Sequence, residues 1–289
     1  MKVAIVGATG VLGRALIPML VQQGHAVRVL ARSVQKAQAL FPGEVECVEY
    51  DLLSPDRDAR LTALLKNCDA ALHIATAIPH DVRAPGAWDA NTRLRTDGTR
   101  RLLDAALATK VECYIQQSIV MAYPDCGDEW ITEEMPLDVS PQRASISAPV
   151  IAMEAMVRAT STRQLRWCIL RGGTFVGQDT FQDDTLKNLR AGKQIVAGNG
   201  RNFISPIRVA DMAAAVAQAL HHAPAGSIFN IVDEPIREGE YLDRLAGIIG
   251  APRPQRDLTL SRPPSWRCRN TAARSTLHWT PSHSVYPDQ

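Results

Sequence analysis

Apolar and polar positions follow two distinct periods along this chain. Continuous apolar runs rich in branched residues read as buried parallel strands at Lys2–Val6, Ala26–Ala31, Val45–Tyr50, Asp69–Ala75, Val111–Ser118 and Leu165–Arg171. Between them, apolar residues at helical spacing predict helices near 11–23, 34–40, 56–66, 88–109 and 145–160. Regular alternation of the two predicts an α/β fold, a parallel sheet covered on both faces. Ligands of such sheets bind beyond the carboxyl ends of the strands, where the strand order reverses.

After Gly172 the pattern changes. Two loops rich in Gly, Asp and Asn (172–184 and 191–202) flank a short helix. Val209–His222 reads as an alanine-rich helix, Ser227–Val232 as a further strand, and Glu238–Ile249 as an amphipathic helix stopped by Gly250 and Pro252. The tail is rich in Pro and Arg, with one helical stretch near 270–278. Residues 1–172, completed by about 204–232, are expected to form a nucleotide-binding domain. Residues 173–203 and 233–289 are expected to form a small substrate lobe.

The first strand runs directly into VGATGVLGR, where Gly7, Gly10 and Gly13 recur every third residue before Leu16, Ile17 and Leu20 open a helix. A glycine turn at a helix amino terminus presents unpaired backbone N–H groups to an anion. Strand, turn and helix in this order predict a seat for a dinucleotide diphosphate, with Thr9, Val11 and Leu12 between the glycines.

Composition narrows the partners. A net charge of +2 on 289 residues gives no strong field for nucleic acid or a membrane surface. No run reaches the roughly 18 apolar residues of a membrane span. The first apolar run feeds a glycine turn instead of a cleavage site, so no secretory leader is expected. The six cysteines are scattered without a C-x-x-C pair, and Cys113 and Cys168 read as core thiols. This pattern suits a reducing, cytoplasmic setting and predicts neither a disulfide frame nor a metal site.

VGATGVLG, Asp51-Leu52 after the third strand, HIATA after the fourth, RTDGTRRLLDAAL, QQSIVMAY, ILRGGTFVG and ISPIRVADMAAAVAQAL follow in a characteristic order. Together they resemble the extended and atypical short-chain dehydrogenase/reductases, relatives of the nucleotide-sugar epimerases, over roughly residues 1–250. The resemblance implies a Rossmann-type doubly wound sheet with a small C-terminal substrate lobe. It also implies that Asp51 and Leu52 border the adenine and that Ala75, Thr76 and Ala77 line the path to the nicotinamide. Relatives often dimerise through two long helices, here near 88–109 and 145–160, so a homodimer is an expectation to test.

NAD-selective members carry an acid at the end of the second strand. Here that strand ends Ala31-Arg32-Ser33. A guanidinium binds a 2′-phosphate that a carboxylate would repel, so Arg32 with Ser33 predicts NADP(H) in preference to NAD(H). Arg14 adds charge just beyond the glycine turn.

The family's usual proton relay is a tyrosine four residues before a lysine. Aligning Glu154 with the acid that often ends this motif puts Ile146 and Val150 in those two positions. A shifted register does not restore the pair, because no tyrosine lies between Tyr123 and Tyr241 and no lysine between Lys110 and Lys187. Pro149 suggests that this helix begins differently. Three readings remain: an atypical oxidoreductase reducing a carbonyl or enone in secondary metabolism, a cofactor-binding regulator or assembly factor without chemistry, and an enzyme whose substrate or water supplies the proton. A nucleotide-sugar epimerase fits less well, since its oxidation step depends on the missing base.

Candidate replacements follow from position. Ser118 ends the fifth strand, where the family keeps a serine that hydrogen-bonds the reacting oxygen; satisfying backbone is the plainer role. Tyr123 is the available phenol, or an aromatic wall of the pocket. Gln117 donates a hydrogen bond but not a proton. His73 is expected to point from its strand toward the cofactor crevice, with His80 in the following loop, although packed and solvated roles suit both. Arg171 and Arg208 end a strand and precede a helix, where either holds an anionic substrate or a surface ion pair. The loop 124–138 carries Asp125, Asp128, Glu129, Glu133 and Glu134 without the spacing of a calcium loop, and reads as a solvated lid. Trp130 within it stacks on a flat substrate or packs on the second domain. His221-His222 at a helix end favours the helix dipole.

Overall fold

Branched residues alternate with helical segments because the inner strands of the sheet are buried on both faces. A computed structural model of the chain describes residues 1–43, 45–54, 58–79 and 84–287. Seven strands form one sheet: β1 (Lys2–Val6), β2 (Ala26–Ala31), β3 (Val45–Glu49), β4 (Ala70–His73), β5 (Cys113–Ile119), β6 (Arg166–Gly172) and β7 (Ser227–Ile231). Their order is β7-β6-β5-β4-β1-β2-β3. The pairs β1–β2, β1–β4, β2–β3 and β4–β5 are parallel, and one row of the sheet holds Leu30, Val6, His73 and Gln116. From β1 the order runs one way to β3, and from β4 the other way to β7. This is the doubly wound Rossmann-type sheet the alternation predicts.

The helices are α1 (Val11–Gln22), α2 (Val34–Leu40), α3 (Asp58–Leu65), α4 (Asp89–Arg93), α5 (Thr99–Thr109), α6 (Ala144–Ala159), α7 (Phe181–Arg190), α8 (Val209–His222), α9 (Glu238–Ile248) and α10 (Thr271–Leu277). Crossovers between parallel strands are right-handed, so connections running in opposite directions lie on opposite faces of the sheet. The connection β1-α1-β2 therefore lies opposite the connection from β4 through α4 and α5 to β5. On the latter face, Leu61 and Leu65 of α3, Leu102 and Ala106 of α5 and Val157 of α6 pack with Ala4, Ala71 and Tyr114. Leu16, Ile17 and Leu20 of α1 are 0–1% exposed. Each such side chain contributes about 2 kcal/mol of burial.

Between α4 and α5 the helix predicted as one piece at 88–109 widens into a π-turn at Leu94–Gly98. The wider turn admits a side chain from the sheet: His73 Nε2 donates to the Leu94 carbonyl at 3.2 Å. Gly98 leaves room for the approach, since a Cβ there would sit 3.3 Å from His73 Nε2 and 2.8 Å from Leu52 Cδ2. The helix expected near 145–160 starts at Ala144 and carries Pro149 inside it. The missing N–H of Pro149 affects only the exposed first turn, where solvent serves the freed carbonyl.

The chain divides into two compact units. Unit 1 is Met1–Ser118, Val139–Leu170 and Ala213–Ile228; unit 2 is Ile119–Asp138, Arg171–Met212 and Phe229–Gln289. Unit 2 takes in Ile119–Asp138, which the sequence places in the first domain, because Trp130–Ile131 pairs in parallel with Arg267–Cys268. Its remaining frame is short pairs: Thr174–Val176 with Pro206–Arg208 and Ile195–Ala197 with Gln255–Asp257 in parallel, and Phe203–Ile204 with Ile236–Arg237 antiparallel. Leu186 and Leu189 of α7 share its core with Tyr241, Leu242 and Leu245 of α9. Among the described residues no helix is long and apolar enough to cross a membrane.

Candidate functional site

The glycine turn is built for close backbone approach. Gly7 has φ +93°, and a Cβ on it would lie 2.4 Å from the Ala75 nitrogen. The end of β4 therefore packs directly on the turn, bringing Ala75–Ala77 beside it. A Cβ on Gly13 would lie 2.1 Å from the Ala8 carbonyl oxygen. The turn closes with Gly10 N donating to Gly7 O at 3.1 Å. Gly10 caps α1 without a side-chain hydrogen bond, and the first turn of α1 has no acidic residue. Thr9 and Val11 are half-buried and Leu12 buried. These uncapped amides fit a diphosphate.

Arg32 lies exposed just past β2. Ser33 has a local duty, accepting from Lys36 N at 3.2 Å as the cap of α2. Asp51 Oδ1 accepts from Leu53 N at 3.0 Å, which shapes the turn after β3, and Leu52 is buried. Thr76 is exposed, while Ala77 N donates to Asn91 Oδ1 at 3.2 Å. His80 lies outside the described residues.

At the carboxyl end of β5, Ser118 Oγ donates to Glu154 Oε1 at 2.6 Å, and the two residues are 0% and 2% exposed. Gln117 Nε2 donates to the Ser118 carbonyl. Glu154 lies on α6 one turn beyond Val150, which is fully buried, and Ile146 is half-buried one turn before it. The helix that would carry a phenol and an ammonium therefore presents hydrocarbon and, deeper, a carboxylate holding a serine hydroxyl.

His73 does not face the cofactor crevice as the sequence suggested. Strand alternation turns it toward the π-turn, where it is 1% exposed. Burial, reinforced by Arg95, pulls its pKa down to about 4. It stays neutral when folded, while the unfolded chain takes up a proton near pH 6.5. Stability is therefore complete above pH 6.5 and is lost as the pH falls toward 4, by about 3 kcal/mol for this group alone. Urea unfolding at pH 7 and pH 4.5 measures this loss. His73→Gln is expected to remove most of it; equal acid sensitivity in the variant would contradict the assignment.

Arg95, which the sequence reading passed over, lies on the π-turn and is 5% exposed. Its only hydrogen bond among the described residues is from Nη1 to Met153 Sδ at 3.7 Å. Burial lowers its pKa to about 10, against the attraction of Glu154. A signal was available: Arg95 falls in the buried register of Asn91, Thr99 and Leu102, where a charged residue needs a reason.

Unit 2 holds the remaining candidates. Tyr123 is fully buried and donates to Asn230 Oδ1 at 2.9 Å while accepting from Arg171 Nη1 at 2.6 Å. Burial raises its pKa well above the ordinary phenol range. With both roles of its oxygen taken, Tyr123 holds the core of its unit together, in contrast to the substrate-facing acid the sequence suggested. Arg171 is 2% exposed and also donates to the Glu133 carbonyl, so it is a framework residue as well. Arg208 donates to the Tyr286 carbonyl.

The acidic loop is tied down, contrary to the solvated lid expected. Asp128 pairs with Arg237, Asp125 with Arg262, and Glu133 Oε1 accepts from Asn230 N. Trp130 carries Arg267 on its ring at 4.1 Å and Arg269 at 4.7 Å. Beside it a cavity of about 220 Å³ is lined by Asp233, Arg269 and Asn270. In unit 1, His221 Nε2 lies 3.2 Å from His25 Nε2 instead of serving only the helix end. No three His, Cys, Asp or Glu side chains among the described residues are grouped to hold a metal ion.

Comparisons agree with this geometry. A model of the NAD dependent epimerase/dehydratase family matches residues 3–232. A 3-diazoavenalumate denitrifying reductase from a Streptomyces species is 31% identical over 100% of this chain and 98% of its own length. A chloroplastic epimerase family protein of Arabidopsis thaliana is 22% identical over 87% of this chain and 72% of its own. Among solved structures, UDP-glucuronic acid 4-epimerase from Bacillus cereus with UDP-glucuronic acid and NAD aligns at TM-score 0.81 and 18% identity, covering 99% and 95% of the two chains. A short-chain dehydrogenase/reductase superfamily protein from Agrobacterium tumefaciens with bound NAD aligns at TM-score 0.79 and 23% identity, covering 99% and 94%. The two structural likenesses show the fold.

Proposed function

This chain belongs to the NAD dependent epimerase/dehydratase family, and from that membership we propose that it binds NADP(H) in unit 1 and reduces a small organic acceptor that needs no proton from the protein. The bound cofactor would supply hydride. The uncapped amides of Gly7–Gly13 suit its diphosphate and exposed Arg32 its 2′-phosphate. Asp51 and Leu52 would border the adenine, and Ala75–Ala77 with Gln117 the nicotinamide.

The observation that carries this reading is the hydrocarbon of Ile146 and Val150 on α6. Neither side chain moves a proton. Reducing a ketone to an alcohol, or oxidising a sugar hydroxyl, therefore lacks its relay. Two acceptor classes do not need one. Hydride on the β-carbon of an enone leaves an enolate that water protonates. Hydride on the ring carbon of an arenediazonium breaks the C–N bond; the bonding pair leaves with N₂, and no proton is consumed. Ser118 favours the second class, since its hydrogen is committed to Glu154 and its oxygen offers lone pairs to a cationic group. The Streptomyces relative supports the same choice, being named as a denitrifying reductase of a diazo compound.

The test compares benzenediazonium-4-carboxylate, 4-phenylbut-3-en-2-one and benzaldehyde with NADPH and NADH, each against an enzyme-free control. The expected result is NADPH consumption with the diazonium, one N₂ per NADPH, and deuterium from 4-deuterated NADPH on the ring carbon. Benzaldehyde is expected to be inert. Arg32→Ala should weaken NADPH binding on the order of 10–100-fold and leave NADH unchanged, as for a lost charge-assisted hydrogen bond. Tighter NADH than NADPH binding in the wild type would reject the Arg32 assignment. Tight NADPH binding with no turnover of any acceptor would favour the regulator reading.

A further inference from the structure

We infer that Arg95 is the receptor for a carboxylate on the substrate, an inference that rests on the hydride-transfer reading of unit 1. Five N–H donors lie in a fixed plane on a side chain that is 5% exposed, a thioether is the only acceptor in reach among the described residues, and the unpartnered nitrogens keep some contact with solvent. Enclosing a cation with so few hydrogen-bond acceptors is among the costlier choices a fold makes. Glu154 attracts it through space, while its Oε1 is held by Ser118. His73 beside it is neutral and donates elsewhere, so it neither satisfies nor competes with the guanidinium. The π-turn that carries Arg95 is a distortion often found at functional sites.

Sheet order decides which anion. The 2′-phosphate expected at Arg32 belongs to β2, three strand spacings from β5 and so about 14 Å away. The diphosphate belongs to the amino end of α1, on the opposite face from the β4–β5 connection. Arg95 instead shares its surroundings with His73 of β4 and Met153 and Glu154 of α6. In this reading, that is the side on which nicotinamide meets substrate. A planar guanidinium fork matches the two oxygens of a carboxylate.

The experiment is calorimetric titration of the full-length protein with trans-cinnamate and with cinnamamide, each with and without saturating NADP⁺. The two probes share shape and differ in charge, and neither reacts. Wild type is expected to bind cinnamate about 30-fold more tightly than cinnamamide, the range of a charged bidentate contact. Arg95→Met should remove that difference, leaving cinnamamide and NADP⁺ affinities unchanged. Arg95→Lys, which keeps the charge without the fork, should fall between and serves if the methionine variant does not fold. Equal binding of both probes by wild type, no cinnamate binding at millimolar concentration, or equal weakening of both probes in the variants would overturn the assignment. Failure of NADP⁺ to bind would instead count against the hydride-transfer reading, while the cofactor-free titration still reports on Arg95.

Discussion

Gly13→Ala is expected to abolish dinucleotide binding and to destabilise the protein by about 3 kcal/mol or more, the scale of overpacking against an unyielding wall. The added methyl would meet Ala8 backbone on three atoms, the nearest at 2.1 Å. Backbone cannot rotate away as a side chain can. Helix α1 would have to move off the turn, and the amides proposed to hold the diphosphate would move with it. Gly247 near the end of α9 is the matched control, because a Cβ there meets nothing within 4 Å. Gly247→Ala should stabilise by about 0.5–1 kcal/mol, the ordinary helix preference of alanine. Thermal unfolding and NADPH fluorescence titration of both variants check the pair. Wild-type affinity in Gly13→Ala would mean that the turn is not the cofactor seat.

Arg171→Leu carries the other large expected effect, a loss of about 3–5 kcal/mol, as for a buried charge network deprived of one member. Arg171 donates to Tyr123 Oη and to the Glu133 carbonyl, and its guanidinium lies 4.9 Å from the Tyr123 ring centre. Tyr123→Phe should cost less, about 1–2 kcal/mol, because it removes one hydroxyl and leaves the ring packed. Urea unfolding followed by circular dichroism separates the two. If Arg171→Leu matched wild type in stability but lost substrate turnover, the side chain would return to the role of substrate anchor. The contrast with Arg95 is instructive. Both arginines are buried, but Arg171 is consumed by its own unit, whereas Arg95 has a thioether alone among the described residues.

Local features were legible in the sequence. The glycine turn and the expected bounds of α8 match the structure, since turn chemistry and helical periodicity act over a few residues. That Ile146 and Val150 relay no proton was equally plain, because residue identity alone excludes it. Partnerships were not legible. Ser118 meets Glu154 across 36 residues and Tyr123 meets Asn230 across 107. Tyr123 looked like an available acid because its position relative to β5 was visible and its saturated hydroxyl was not. The π-turn escaped for a related reason: it answers a side chain from β4, while the sequence of 88–109 reads as ordinary helix.

The sequence by itself determined the doubly wound sheet, the place of the glycine turn, and the lack of any tyrosine between Tyr123 and Tyr241 or lysine between Lys110 and Lys187. Each depends on residue type and short-range spacing, which steric and hydrogen-bonding rules convert directly into local structure. Only the tertiary structure decided which polar groups are already spent on one another, as at Tyr123, Arg171 and the acidic loop. It also showed that Arg95, 5% exposed, has a thioether as its one hydrogen-bond acceptor among the described residues. Whether a buried charge has a partner depends on what surrounds it in space, and those surroundings come from strands and helices far apart along the chain.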